Sequence, residues 1–401
     1  MGSAGVEAAP ASIPTSGLCL LLFITLPCCD TTCGGEEQKA DDRSRLHDAG
    51  FRQNRSLYSC RMQDLVDETD LALLNALQVA PRGSWAILGR ALDLDPATVA
   101  RRWRRLQTEG YAWVTCAVGP PRHNTFCLAY IEIECVRGEF DAVQDAFVRQ
   151  PEVVYIHHLT GPRGLLIVVA RSSPTLISEY IRDTVEPMPG IRSYHAEIRT
   201  AGHVEPSRWR LRSLDQDQQR ALEAGTEAEK RAHDIRLEAV DQQIYQLLHE
   251  DGRMPFTTLA ERAGVSEPTV RRRANRLLNS GILRLRCEVV QSVSGWPVSA
   301  VLWAATPPTH VESTVQSFAA LPQVRLCCSL TGPRNLLLMV WLRSLDALPQ
   351  LEGTLYERAP ELTIVDRAIC LHTAKQLGRV LSREGRATAQ VQTTLEAFPV
   401  L

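Results

Sequence analysis

Shifted by 171 positions, the chain reads onto itself from about Asp70 to Ile198 without a net gap. Asp70 falls on Asp241, Arg82 on Arg253, Leu88 on Leu259, and Thr98-Val99 on Thr269-Val270. Arg101-Arg102 meet Arg272-Arg273, Arg105-Leu106 meet Arg276-Leu277, and Gly110 meets Gly281. Further on, the string Leu159-Thr160-Gly161-Pro162-Arg163 meets Leu330-Thr331-Gly332-Pro333-Arg334. A constant register over that length means one folding unit present twice in tandem, and any fold must be compatible with both copies.

The first half of each unit is helical. In the second copy Ile244, Leu247 and Leu248 form an i, i+3, i+4 stripe. A short helix over Phe256 to Ala263 ends at Gly264, suited to a left-handed turn. Ser266 is placed as an N-cap with Pro268 in the first turn of a third helix, which runs to about Asn279 and stops at Gly281. Its core stripe is Val270, Ala274 and Leu277. The first copy repeats the pattern with Asp95 as N-cap, Pro96 at N1, and the stripe Val99, Trp103, Leu106, while Asp93 replaces the turn glycine. Helix, tight turn and a capped third helix rich in Arg is the helix-turn-helix pattern, whose guanidiniums neutralise phosphates and read guanine edges. The residues expected to meet DNA are Thr98, Arg101, Arg102, Arg104 and Arg105 in the first copy. In the second they are Ser266, Thr269, Arg271, Arg272, Arg273, Asn275 and Arg276. The chain carries a net charge of only -2, so a nucleic-acid surface has to be local.

The second half of each unit alternates strands and helices in the order β-α-β-β-α-β, the ferredoxin-like split βαβ. In the first copy the strands are expected over 126–136, 153–159, 165–170 and 191–198. In the second they are expected near 298–305, 324–330, 336–342 and 363–371. Helices cover one sheet face only, so pairing through the other face is expected. The fold class is therefore α+β: two winged-type helix-turn-helix domains, each followed by a ferredoxin-like βαββαβ domain. The chain divides into an N-terminal extension (1–61), a first helix-turn-helix domain (62–118), a first α/β domain (119–213) and a linker (214–236). A second helix-turn-helix domain (237–290), a second α/β domain (291–378) and a flexible tail (379–401) follow. The linker, LDQDQQRALEAGTEAEKRAHDIR, is charged and reads as solvated and partly helical.

Gly17 to Cys29 is an apolar run too short to span a bilayer as a helix, and no Lys or Arg precedes it. Residues 1–61 read as an extension outside the fold: upstream of a true start at Met62, a disordered tail, or an export segment. The cysteines of the body stand singly in apolar runs (Cys116, Cys127, Cys135, Cys287, Cys370) or adjacent (Cys327-Cys328). No CxxC faces another CxxC or a His pair, so buried reduced thiols are expected, with neither metal nor cofactor. No nucleophile elbow or phosphate loop is present, and no catalytic residue is assigned.

The string Leu259-Ala260-Glu261-Arg262-Ala263-Gly264-Val265-Ser266, with Thr269-Val270-Arg271-Arg272-Arg273, Arg276-Leu277 and Gly281-Ile282-Leu283, resembles the Lrp/AsnC (feast/famine) family of regulators. The first copy carries Leu94-Asp95-Pro96-Ala97-Thr98-Val99 and Gly110-Tyr111-Ala112 at the same places, and the resemblance covers about residues 64–200 and 237–372. It implies a DNA-binding transcriptional regulator with RAM-type sensor domains, cytoplasmic and nucleoid-associated, with double-stranded DNA as partner and no membrane. Single units of that family pair as homodimers; here one chain supplies both halves, with self-association through the α/β domains. The resemblance also places an amino-acid-like effector at a turn reading Gly, two residues, Asp. This chain has Gly161-Pro162-Arg163-Gly164 and Gly332-Pro333-Arg334-Asn335, without the Asp. Effector candidates are Gly161, Arg163, Gly332, Arg334 and Asn335. The siroheme decarboxylases resemble fused units of the same architecture, and a tetrapyrrole enzyme is the alternative. It would draw on His157-His158, whose counterparts are Cys328 and Ser329.

Overall fold

The computed structural model describes residues 66–119, 126–223 and 235–392. The expectations for residues 1–61, for most of the second half of the linker and for the last residues of the tail lie outside them. The described residues belong to one compact unit, and it contains both copies.

Each helix-turn-helix has three helices: α1 (Glu68–Val79), α2 (Trp85–Leu92) and α3 (Pro96–Thr108) in the first. A short helix α6 (Gln216–Glu223) docks beside them, and α7 (Ala239–Glu250), α8 (Phe256–Ala263) and α9 (Glu267–Asn279) build the second. The expected stripes are inside: Val99, Trp103 and Leu106 in the first core, Val270, Ala274 and Leu277 in the second. Asp95 accepts from the backbone N–H of Ala97 and Thr98 at 2.8 and 3.3 Å. Ser266 stands at the equivalent position, but its hydroxyl bonds the Thr269 hydroxyl at 2.9 Å instead of a backbone N–H. Asp93 takes the left-handed conformation (φ 53°, ψ 46°) that Gly264 takes (φ 66°, ψ 29°), so both turns are made alike. Asp visits that region at modest cost because its short polar side chain bonds locally.

The strand after each third helix, β1 (Ala112–Val118) and β6 (Leu283–Val289), forms no wing of its own; the two pair antiparallel with each other. Thr115 lies opposite Arg286, its own repeat counterpart, so the pseudo-twofold axis relating the copies passes through that pair. Arg82 donates to the Gly252 and Met254 carbonyls at 2.8 and 3.0 Å, and Arg253 returns the contact to Pro81 and Gly83 at 2.6 and 3.0 Å. Each guanidinium also stacks on an aromatic ring of the other copy, Arg82 on Phe256 and Arg253 on Trp85. The two helix-turn-helix domains are thus joined directly.

In the α/β part, the first copy gives β2 (Cys127–Cys135), α4 (Phe140–Val148), β3 (Val153–Leu159), β4 (Leu165–Arg171), α5 (Pro174–Tyr180) and β5 (Ile191–Val204). The second gives β7 (Val298–Ala305), α10 (Val311–Phe318), β8 (Val324–Leu330), β9 (Leu336–Leu342), α11 (Ala347–Arg358) and β10 (Thr363–Gln376). The two halves run β3-β4-β2-β5 and β8-β9-β7-β10. The last strand of each half is longer than its sequence signal, and the extra length crosses over. β5 pairs with β2 over its first part and with β8 from Arg199 onward, while β10 pairs with β7 and then, from Cys370, with β3. Eight strands so close on themselves, and the sheet faces without helices meet around Tyr130, Leu166, Val168, Val301, Trp303 and Leu337. The expected pairing of open sheet faces happens inside one chain.

Two segments depart from expectation. The tail is not all flexible: β11 (Arg379–Leu381) and β12 (Ala387–Val391) extend the sheet from β10 as a hairpin. Arg379 donates to the Glu250 carbonyl at 2.6 Å, and Arg386 to the Tyr111 hydroxyl at 2.9 Å, fastening that hairpin to both helix-turn-helix domains. The linker is not all solvated either, because Leu222 of α6 is fully buried in the first core. One large apolar residue in a charged helix gives too little period to be read. The seven cysteines among the described residues are all free, and among those residues no helix is long and apolar enough to cross a membrane.

Candidate nucleic-acid interface

The arginines of each third helix fall into two sets. Asp70 of α1 is fully buried, with no accessible surface, and faces α3. It accepts from Arg102 at 2.9 Å and from Arg105, and Arg102 reaches Asp67 at 2.8 Å as well. Asp67 and Asp70 also close a capping box on α1. The second copy repeats the arrangement: Asp241 holds Arg273 at 3.1 Å and Arg276 at 3.4 Å, and Glu238 takes Arg273 at 2.6 Å. Burial works to raise the Asp67 carboxyl, but hydrogen bonding to the Arg102 guanidinium holds it below its ordinary value. These four arginines, expected to meet DNA, bind the third helix to the first, and Arg105 and Arg276 keep more than a third of their side-chain surface exposed. In each copy two guanidiniums share two carboxylates, of which the buried one would be costly to leave unpaired.

The remaining set points outward. Arg101 and Arg104 of α3, and Arg272 and Asn275 of α9, are exposed. Arg101, Arg104 and Arg272 have no ion-pair partner among the described residues. Arg271 is intermediate in kind: it bonds Glu267 one turn back at 2.6 Å and lies over the Phe256 ring. Thr98 and Thr269 sit half-buried in the first turns, and Ser266 is exposed at its cap. The two helices therefore present different faces on equivalent frames. Reading the third helix alone missed Asp70 and Asp241, although their identity under the repeat was visible. An acid preserved in both copies within an apolar helix is the signal that could have placed them.

The effector candidates are brought together at one end of the closed sheet. Arg163 reaches Glu132 of β2 at 2.8 Å and Asp366 of β10. Arg334 reaches Glu132 at 2.5 Å and Glu197 of β5 at 3.2 Å. Both guanidiniums lie over the Trp303 ring. A cleft of about 330 Å³ opens between them, walled also by His195, Pro333 and Val365. Asn335 is turned away, exchanging bonds with the backbone of Thr306 at 2.8 and 3.0 Å. Gly161 and Gly332 supply the positive φ of the turns (95° and 87°). His157 and His158, adjacent on β3, point to opposite faces. His157 is buried against Thr373 at 3.0 Å and His158 lies on the Phe140 ring, so the pair does not form a joint site.

Two covalently joined helix-turn-helix domains on a closed pair of α/β domains define a two-unit helix-turn-helix protein. The AsnC-type helix-turn-helix domain family matches residues 66–107 and 237–278, and the Lrp/AsnC ligand binding domain matches residues 128–206. An uncharacterized HTH-type transcriptional regulator of Pyrococcus abyssi is 32% identical over 115 residues, 28% of this chain and 73% of its own. HTH-type transcriptional regulator LrpC of Bacillus subtilis is 27% identical over 115 residues, 28% of this chain and 80% of its own. The chain belongs to the Lrp/AsnC family of helix-turn-helix transcriptional regulators. Among solved structures, the siroheme decarboxylase NirDL aligns over 83% of this chain and 96% of its own at a TM-score of 0.52 and 14% identity. That likeness concerns the fold alone, and it extends over both units.

Proposed function

We propose that the chain acts as a built-in dimer: one polypeptide that binds double-stranded DNA with two non-identical recognition helices and regulates transcription in the cytoplasm. The observation that carries this reading is the pair of equivalently built helix-turn-helix domains, locked together by the β1–β6 ribbon and the Arg82 and Arg253 clamps. Each presents exposed arginines that no carboxylate among the described residues neutralises. In this reading Arg101, Arg104 and Arg272 take phosphates, and Thr98, Ser266, Thr269, Arg271 and Asn275 stand near base edges. The chain does no chemistry on its own account. An effector carrying a carboxylate would have to displace Glu132 or Asp366 from Arg163, or Glu132 or Glu197 from Arg334, so effector binding and rearrangement of that cluster are one event.

The test is the salt dependence of binding to a mixed-sequence duplex. Removing one phosphate-binding side chain should lower the slope of log K against log salt by about 0.9. The triple variant Arg101→Ala, Arg104→Ala, Arg272→Ala is expected to flatten it by roughly two to three. Arg102→Ala and Arg273→Ala should lower thermal stability more than they change the slope. An unchanged slope in the triple variant would count against the assignment.

A further inference from the structure

At the cleft between the two α/β domains, three ligand-type side chains from neighbouring strands converge: Glu132 of β2, and His195 and Glu197 of β5. One oxygen of each carboxylate and one His195 nitrogen lie within 4.8 Å of one another. Arg334 satisfies only half of what the carboxylates present. Its Nη2 holds Glu132 Oε1 at 2.5 Å and Glu197 Oε2 at 3.2 Å. The other two oxygens, Glu132 Oε2 and Glu197 Oε1, make no well-aligned hydrogen bond: they face Arg163 at 2.8 Å and His195 at 3.5 Å. Glu132 and Glu197 are 2% and 3% exposed, so water has little access to these oxygens. Arg163 approaches Glu132 Oε2 at 2.8 Å as an ion pair, without hydrogen-bond geometry, and is bound to Asp366 at its other end. Two buried carboxylate oxygens met only by poorly aligned contacts are better satisfied by a cation seated between them.

We propose that Glu132 Oε2, Glu197 Oε1 and His195 Nε2 form a binding site for one first-row divalent metal ion, with Zn²⁺ the best match. Two carboxylates and one imidazole leave a fourth position open to solvent or a ligand in the cleft, the donor set of an open zinc site. The imidazole disfavours Mg²⁺ and Ca²⁺, which take oxygen ligands. Arg334 has the place of an outer-shell residue that orients both carboxylates by their far oxygens. Arg163 has a second carboxylate in Asp366, so it can release Glu132 without being left unpaired. His195 Nε2 already stands 3.5 Å from Glu197 Oε1, with its ring half exposed at the mouth as an entrance. The repeat makes the site single: the counterparts of Glu132, His195 and Glu197 are Trp303, Asp366 and Ala368, which cannot hold the ion. A homodimer of identical units would have two such clusters, whereas the described residues of this chain have one.

The experiment is calorimetric titration of the metal-free, tag-free full chain with ZnCl₂, with metal content measured after dialysis. The expected result is saturation at one ion per chain. His195→Ala and Glu197→Gln should each weaken binding at least about tenfold, and Arg334→Gln by about tenfold through lost orientation. The exposed His310→Ala should leave it unchanged. His195 is a surface side chain, so His195→Ala keeps the fold, checked by an unaltered unfolding midpoint without metal. Absence of saturable uptake, or uptake that His195→Ala leaves intact, would overturn the assignment, the latter placing the ion elsewhere on the chain.

Discussion

Asp70 and Asp241 have no accessible surface, yet each faces two guanidiniums of the third helix. Removing either acid would leave its arginines without partners and the helix without its tether, the costly way to break a buried pair. The same pairing divides the arginine-rich face, since a guanidinium held by a buried carboxylate has little charge left for a phosphate. A second buried titratable residue sets a pH limit. Burial, aided by His372, pushes His157 down from 6.5 to about 4, so it stays neutral in the fold. The unfolded chain then binds the extra proton first as pH falls. The stability His157 contributes is complete above about 6.5 and is lost as pH falls from there towards 4. Denaturant titrations across that window should show the fall, and His157→Asn should flatten it by up to about 3 kcal/mol. An identical pH profile in the variant would show that His157 is not the group responsible.

At the scale of elements, the departures share one cause: pairing between the copies. β1 and β6 stand where a winged-type domain would carry its wing, and nothing local announces that each will choose the other. β5 runs to Val204 and β10 to Gln376, past the apolar segments ending near Ile198 and Leu371. The added residues, Arg199 to Val204 and His372 to Gln376, are mostly polar, so period and hydrophobicity fail at the point where the strands cross to the other half. What lay in one unit was legible: the helix stripes, Asp95 as cap, the β-α-β-β-α-β order and the turns at Gly161 and Gly332. The outward arginines Arg101, Arg104 and Arg272 were legible too, but their separation from Arg102, Arg105, Arg273 and Arg276 needed the position of α1 and α7. The Glu132–His195–Glu197 cluster was not, because Glu132 and Glu197 lie far apart in sequence on adjacent strands. The clamps make a prediction at this scale. Arg82→Ala and Arg253→Ala each remove two charged hydrogen bonds between the domains and should cost about 2 kcal/mol apiece in denaturant unfolding. The double variant should lose DNA affinity although neither residue lies on a recognition helix; full affinity would show that the ribbon alone sets the spacing.

For the whole molecule, two copies of one unit in a single chain leave the halves free to differ. The frame stayed symmetric: Asp70 with Asp241, Arg82 with Arg253, and one closed sheet made by mutual exchange of β5 and β10. The working surfaces did not. Pro96-Ala97-Thr98 opens one recognition helix and Glu267-Pro268-Thr269 the other, and the cleft that joins Arg163 to its counterpart Arg334 is flanked by His195 on one side and by its counterpart Asp366 on the other. Because the halves are covalently joined, their geometry on DNA does not depend on protein concentration, unlike that of an obligate dimer. In vitro selection of duplex DNA by the purified full chain, with the bound stoichiometry measured, tests this account most directly. One chain per duplex is expected to enrich two dissimilar half-sites about 10 base pairs, or a multiple of that, from centre to centre. No enriched sequence, a lone half-site, or a perfect palindrome needing two chains would contradict it.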